Sequence, residues 1–144
     1  MGGSATKQKM NSKSSEIDLS GAAIGAAVMA STALPLPSSP SELSALWFGR
    51  VCKTASHELG HCFGIDHCTY YSCIMQGTAH LAEDSRQPPY LCPVDLSKVI
   101  RATGSSEQER YKALRRFCDE WKQDRMFAAF GAWIQLRLSS YRNT

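Results

Sequence analysis

The sequence predicts a predominantly α-helical fold, and three observations carry that prediction. Leu43, Leu46, Trp47, Val51, Ala55, Leu59 and Cys62 recur at the spacing of a helix face. Ser106-Glu107-Gln108-Glu109 reads as a capping box, in which Ser at N-cap and Glu at N3 satisfy each other's backbone donors ahead of a second periodic run. No alternating run of Val, Ile, Thr or Tyr precedes the first of these helices, so no strand is expected there.

The elements follow in order. Residues 1 to about 20 are rich in Ser, Lys and Gly and read as disordered. Residues 21–33 are small and apolar, and their alanines permit a helix that two glycines weaken. Leu34-Pro35-Leu36-Pro37-Ser38-Ser39-Pro40 reads as a linker, so residues 1–40 form a low-complexity N-terminal segment and 41–144 the domain. Ser39 or Ser41 caps the first strong helix, which should end near Phe63-Gly64. Residues 65–92 read as turns, with Pro88-Pro89 and Pro93 favouring irregular backbone. A short run from Leu96 to Arg101 stops at Gly104. The capped helix after Ser106 carries Tyr111, Leu114, Phe117, Cys118 and Trp121 on one face, and a last helix spans Met126 to about Ser139 with Phe127, Phe130, Trp133, Ile134 and Leu138. These aromatics read as core.

Chemistry concentrates in His57-Glu58-Leu59-Gly60-His61-Cys62-Phe63-Gly64-Ile65-Asp66-His67. His57 and His61 are one helical turn apart, so both imidazoles leave one face and can grip one Zn²⁺. Glu58 lies beside the metal rather than on it, placed to act as a general base towards water. Gly64 tolerates the positive φ of a sharp helix exit, which can swing His67 back as a third ligand. Three protein ligands leave a fourth position open, the mark of a catalytic rather than a structural zinc.

The residues that follow narrow the pattern. His67 is followed by Cys68, Cys73 and Met75, and later by Cys92-Pro93-Val94-Asp95. The stretch from about Cys52 to Ile100 resembles the archaemetzincins, metzincin-type zinc metallopeptidases, which continue the zinc helix with H-C-x4-C-x-M and later C-x-x-C. The resemblance implies Zn²⁺ as cofactor, His57, His61 and His67 as ligands of a catalytic zinc, Glu58 as catalytic base, and Met75 as a turn beneath the metal. It implies a second, structural zinc on Cys68, Cys73, Cys92 and a fourth cysteine, where this chain has Asp95. It also implies a parent α+β fold with a sheet ahead of the zinc helix. That sheet is expected to be largely missing here, leaving a chain truncated on its N-terminal side, either active or a catalytically inactive zinc-binding module.

Asp95 has two readings. Its oxygen can ligate zinc, although thiolate suits the metal better. It can instead cap the helix that begins at Leu96. Tyr70 or Tyr71 can stabilise an oxyanion or serve in packing, Asp66 can orient a ligand or shape the turn, and His80 reads as an exposed loop residue.

The composition of the 144-residue chain bounds its partners. One compact domain is expected. The net charge of +3 is scattered, with Arg115-Arg116 the one adjacent basic pair, so nucleic acid is not expected as a partner. No run of about 20 apolar residues suggests a membrane span. A peptide or protein substrate and a monomeric state are the expectation. Three of the six cysteines fall on the metal pattern; Cys52, Cys62 and Cys118 read as small buried hydrophobes. Thiolates kept for zinc suit a reducing compartment, so the chain reads as intracellular and cytoplasmic. Secretion is the lesser reading, because Glu16 and Asp18 break the approach to the apolar stretch at residues 21–30.

Overall fold

The computed structural model describes residues 19–141, and the disorder expected for residues 1 to about 20 falls almost wholly outside them. Among the described residues the chain is all-helical: six helices and no strand. No described helix is long and apolar enough to cross a membrane.

Helix α1 (Leu19–Thr32) runs along α6 (Arg125–Ser140). Small side chains let it approach closely, Ala23 is fully buried, and Arg125 Nε donates to the Ser31 carbonyl at 2.9 Å. Residues 19–32 of the segment read as low-complexity are therefore a helix packed on α6. Residues 35–38 are irregular, and α2 (Pro40–Cys62) then starts with Ser39 at its N-cap and Pro40 in its first turn. The Ser39 and Glu42 side chains complete a capping box, with Glu42 accepting from the Ser39 N–H at 2.9 Å.

The apolar stripe that predicts α2 is not its buried face. Leu43, Leu46, Trp47, Val51 and Leu59 are all exposed, Trp47 at 63 %. The helix instead buries Gly49, Lys53 and Gly60 and leans on the aromatic cluster through Phe48, whose ring lies 4.4 Å from Trp121 and 6.0 Å from Phe127. A cavity of about 550 Å³, lined by Cys52, Leu59, Phe63, Leu114 and Phe117 among others, lies between α2 and the C-terminal helices.

Helix α3 (Leu81–Arg86) lies in the stretch expected to hold only turns. His80 caps it through Nδ1, which accepts from the Glu83 N–H at 3.4 Å, so His80 is an N-cap rather than a plain loop residue. Helix α4 (Pro93–Thr103) begins earlier than Leu96, because Pro93 supplies the preset φ of a first helical position. Its N-cap is Cys92, whose sulfur accepts from the Asp95 N–H, and this overturns the N-cap reading of Asp95. Gly104 ends α4 in the left-handed region, as expected.

Helix α5 (Glu107–Glu120) opens on the Ser106–Glu109 capping box and packs against α6. Between them and α4 sit Leu96, Tyr111, Cys118, Phe127, Phe130 and Ile134. Tyr90 stacks on Trp133 at 5.0 Å, tying the loop before α4 to α6. Of the three remaining cysteines, Cys118 is buried and Cys52 half-buried, while Cys62 is exposed, because the last turn of α2 faces it away from the core. All six cysteines are free thiols.

The reversed face of α2 has a measurable consequence. Phe48→Ala should destabilise the fold by about 2–3 kcal/mol, near the low end for aromatic truncation because Phe48 is only half-buried. Trp47→Ala should stay within about 0.5 kcal/mol despite removing a larger side chain. Urea unfolding of both variants compares them; equal losses would contradict the burial described.

Candidate metal centres

The C-terminal end of α2 sets up the first cluster. Phe63 is the C-cap and Gly64 follows at φ +73°, the left-handed conformation that glycine adopts without a Cβ clash. The Gly64 N–H donates to His61 O at 2.9 Å and the Ile65 N–H to Gly60 O at 3.2 Å, the paired bonds of a Schellman cap. Ile65, 1 % exposed, seals the turn. The chain then runs back beside the helix it has just left, carrying His67.

His57, His61 and His67 each offer a ring nitrogen, all within 4.8 Å of one another. His57 Nδ1 faces the Ile74 carbonyl and His61 Nδ1 the Ile65 carbonyl, each at 2.7 Å. A carbonyl only accepts, so both Nδ1 atoms carry a proton, and in the neutral rings it is Nε2 that presents a lone pair. Those two Nε2 atoms stand 3.1 Å apart. A shared proton or a bridging metal ion would satisfy nitrogens at that distance. Tetrahedral zinc with bonds of about 2.0–2.1 Å holds its ligand nitrogens about 3.3 Å apart, so the His57–His61 spacing fits the metal that the sequence implies, with His67 within 4.8 Å of both. Glu58 sits one residue past His57 on the same helix and is exposed.

Met75 lies beneath this cluster, fully buried. A Cβ at Gly60 would run into Met75 Sδ and come within 2.8 Å of Cε, so only glycine leaves the thioether its place under the helix. Gly77 likewise lies against the His67 ring, with space for a Cβ only 3.2 Å from Nδ1. Neither glycine stood out in the sequence, since their roles are close approaches between segments rather than local turns.

The second cluster begins on the same returning segment, at the residue after His67. Cys68, Cys73, Cys92 and Asp95 present ligand atoms within 4.8 Å of one another, with Cys73, Cys92 and Asp95 buried. The Cys68 N–H donates to Met75 O at 2.8 Å, closing the loop that holds Cys73. Asp95 Oδ2 accepts from the Cys73 and Cys92 thiols at 3.5 and 3.4 Å, while Oδ1 faces Lys98 Nζ at 2.9 Å. Burial pushes the Asp95 carboxyl up, but the hydrogen bonds from Lys98, Cys92 and Cys73 and the charge of Lys98 outweigh it and hold the group below its ordinary range. Burial pushes the Cys73 thiol up to about 12 and raises Cys92, so a metal entering here displaces their protons.

The other candidates stand apart. Tyr70 is 90 % exposed and Tyr71 is half exposed, and Asp66 is exposed beside His67. A helix-borne pair of histidines, a third brought back by a glycine turn, and a buried methionine below them define a metzincin-type site. Peptidase family M54 matches residues 21–101. The chain is 47 % identical over 83 residues to archaemetzincin-2 of Homo sapiens, covering 58 % of this chain and 23 % of the relative. It is 43 % identical over 79 residues to archaemetzincin-2 of Rattus norvegicus, covering 55 % and 22 %. To archaemetzincin-1 of Homo sapiens it is 38 % identical over 90 residues, covering 62 % and 16 %. No solved structure matches. The chain belongs to peptidase family M54, the archaemetzincins, and spans less than a quarter of the length of these relatives.

Gly60→Ala tests the contact below the imidazoles. Alanine improves helix propensity by about 1 kcal/mol, while forcing a methyl into a packed core costs about 1–3 kcal/mol. A net loss of stability is expected because Met75 is fully buried and cannot swing into solvent. In a Met75→Ala background the same change should become neutral or stabilising. Thermal unfolding of the four proteins in this cycle gives the coupling, and a coupling near zero would separate Gly60 from Met75.

Proposed function

We propose that this chain carries a zinc-dependent peptidase centre in which His57, His61 and His67 hold the metal and Glu58 is the catalytic base. The observation that carries the reading is the pair of Nε2 atoms converging at 3.1 Å, each turned inward by a backbone carbonyl that faces the Nδ1 of its ring. Bound zinc supplies Lewis acidity to a water and to the carbonyl of a peptide. Glu58 takes the proton from the attacking water and passes it to the leaving amine. Met75 keeps the floor of the site apolar and dry, and Ile65 and Ile74 lend their main-chain oxygens to fix the two helical imidazoles. The substrate class is a peptide or protein.

A second zinc on Cys68, Cys73, Cys92 and Asp95 would be structural. Lys98 occupies one Asp95 oxygen, and the other faces the sulfurs. This leaves one carboxylate oxygen as the fourth donor where the family pattern has a thiolate. A thiolate cluster of this kind suits a reducing, intracellular compartment.

One observation favours a second reading, a zinc-binding module without catalysis. Among the described residues no strand borders the histidines, so no edge is present to hold an extended peptide. Such a module would bind zinc and hydrolyse nothing.

Glu58→Gln separates these accounts. Zinc content should stay at the wild-type value, while peptide hydrolysis should fall by about 10²–10⁴. Metal analysis alongside a peptide-cleavage assay measures both. Equal hydrolysis by wild type and variant would remove Glu58 from the reaction, and a zinc-loaded wild type without activity would select the second reading.

Asp95→Cys should strengthen metal binding at the second cluster, because zinc favours thiolate over carboxylate. A tenfold gain in affinity, about 1.4 kcal/mol, adds to folding when only the folded state binds metal. The unfolding midpoint should rise with excess zinc and not with chelator. Equal midpoints in zinc for variant and wild type would argue against a metal on these cysteines.

A further inference from the structure

We propose that Gln87 is a positioning residue for His57, acting through the Ile74 carbonyl. The proposal rests on reading the three histidines as a metal centre. Gln87 stands at the end of α3, far from the histidine motif in sequence, and is only 8 % exposed. Its Nε2 amide donates to Ile74 O at 2.6 Å and to Gln76 O at 2.7 Å, the two carbonyls that flank Met75. Ile74 O is the same oxygen that accepts from His57 Nδ1. A carbonyl oxygen has two lone pairs, so here one takes the imidazole and the other takes Gln87. The peptide plane at Ile74 is thus held on two sides. The direction in which His57 must point its N–H, and hence its metal-facing Nε2, follows from that plane.

Helix α2 holds Gln87 in turn. Lys53 lies one turn before His57 on the same face and is 7 % exposed. Its Nζ donates to the carbonyls of Asp84 and Gln87, the latter at 3.0 Å. These lie at the C-terminal end of α3, where the Asp84 carbonyl already accepts from the Gln87 N–H at 3.2 Å and Lys53 adds a second donor to it. Arg50 adds an ion pair to the Asp84 carboxylate at 3.1 Å. The contacts close a circuit: Lys53 of α2 fixes the main chain at Gln87, the Gln87 side chain fixes Ile74, and Ile74 fixes His57, one turn further along α2. A glutamine serving only to fill the loop would stabilise the fold without setting the histidine.

The test uses the full chain. Gln87→Met keeps the side-chain length and removes both N–H groups; Gln87→Asn keeps the donors on a stem one carbon shorter. Nitrogen-15 NMR of histidine-labelled, metal-free protein reads the His57 tautomer. Titration with zinc, and with cobalt to separate imidazole from thiolate ligation, reads affinity at each cluster. In the wild type His57 should hold the Nδ1–H form. Gln87→Met should populate both tautomers and bind metal at the histidines about ten- to a hundredfold more weakly, with the cysteine cluster unchanged, and Gln87→Asn should fall between. A Gln87→Met protein that unfolds earlier yet keeps one tautomer and wild-type affinity overturns the proposal. If Gln87→Met does not fold, Gln87→Asn decides by the same two readouts. A wild type that takes no metal at the histidines would overturn the metal-centre reading instead, and the tautomer comparison would still decide the role of Gln87.

Discussion

The reversal of the chain at Gly64 is the constraint on which the rest of the site depends. A helix of 23 residues ends there in a left-handed residue, and the following segment returns along the surface of that helix. The return brings His67 back to His57 and His61 and carries Ile74, Met75 and Gly77 under and beside the imidazoles. A side chain with a Cβ at position 64 would resist the positive φ, and the third histidine would leave the cluster. Gly60 completes the reversal from the other side, since the missing Cβ is what lets Met75 lie directly against α2.

The two clusters share that one returning loop. His67 and Cys68 are consecutive, and Cys73 and Met75 are separated by one residue, so a few peptide units serve both sets of ligands. Cys73 Sγ also accepts from the main-chain N–H groups of Met75 and Cys92, at 3.4 and 3.2 Å. The sulfur cluster therefore braces the turn that holds the methionine, and α4, α5 and α6 brace the sulfur cluster through Leu96 and the core around Tyr111 and Phe130. Rigidity passes from the C-terminal helices to the histidines along this path. That arrangement suits a metal site whose ligands must be held before the metal arrives.

Helix α2 itself is held by few contacts. Phe48 anchors its middle, Lys53 and Arg50 tie it to α3, and Gly60 rests on Met75, while the stripe from Leu43 to Val51 stays uncovered among the described residues. Polar and small residues take the buried positions, and large apolar ones take the surface. Periodicity therefore located the helix without fixing its inner face: spacing reports that a stripe exists, and only the neighbours decide whether it is covered.

The Cys68, Cys73, Met75 and Cys92 pattern was legible through its resemblance to the archaemetzincins, and the His57 to His67 stretch was legible from the sequence because helix periodicity and a glycine exit are local properties of the chain. The capping boxes at Ser39 and Ser106 and the helix stop at Gly104 were legible for the same reason. What the sequence could not reveal are the long-range contacts. The docking of α1 on α6 and the reach of Gln87 to Ile74 join residues whose pairing has no local signature, whereas the caps at Cys92 and His80 lie three residues from the N–H groups they serve and escaped notice because neither Cys nor His is a favoured N-cap residue. A cap or a turn is decided within four or five residues of chain. The His57 imidazole faces a carbonyl 17 residues away and an amide 30 residues away, and only the tertiary fold brings those together.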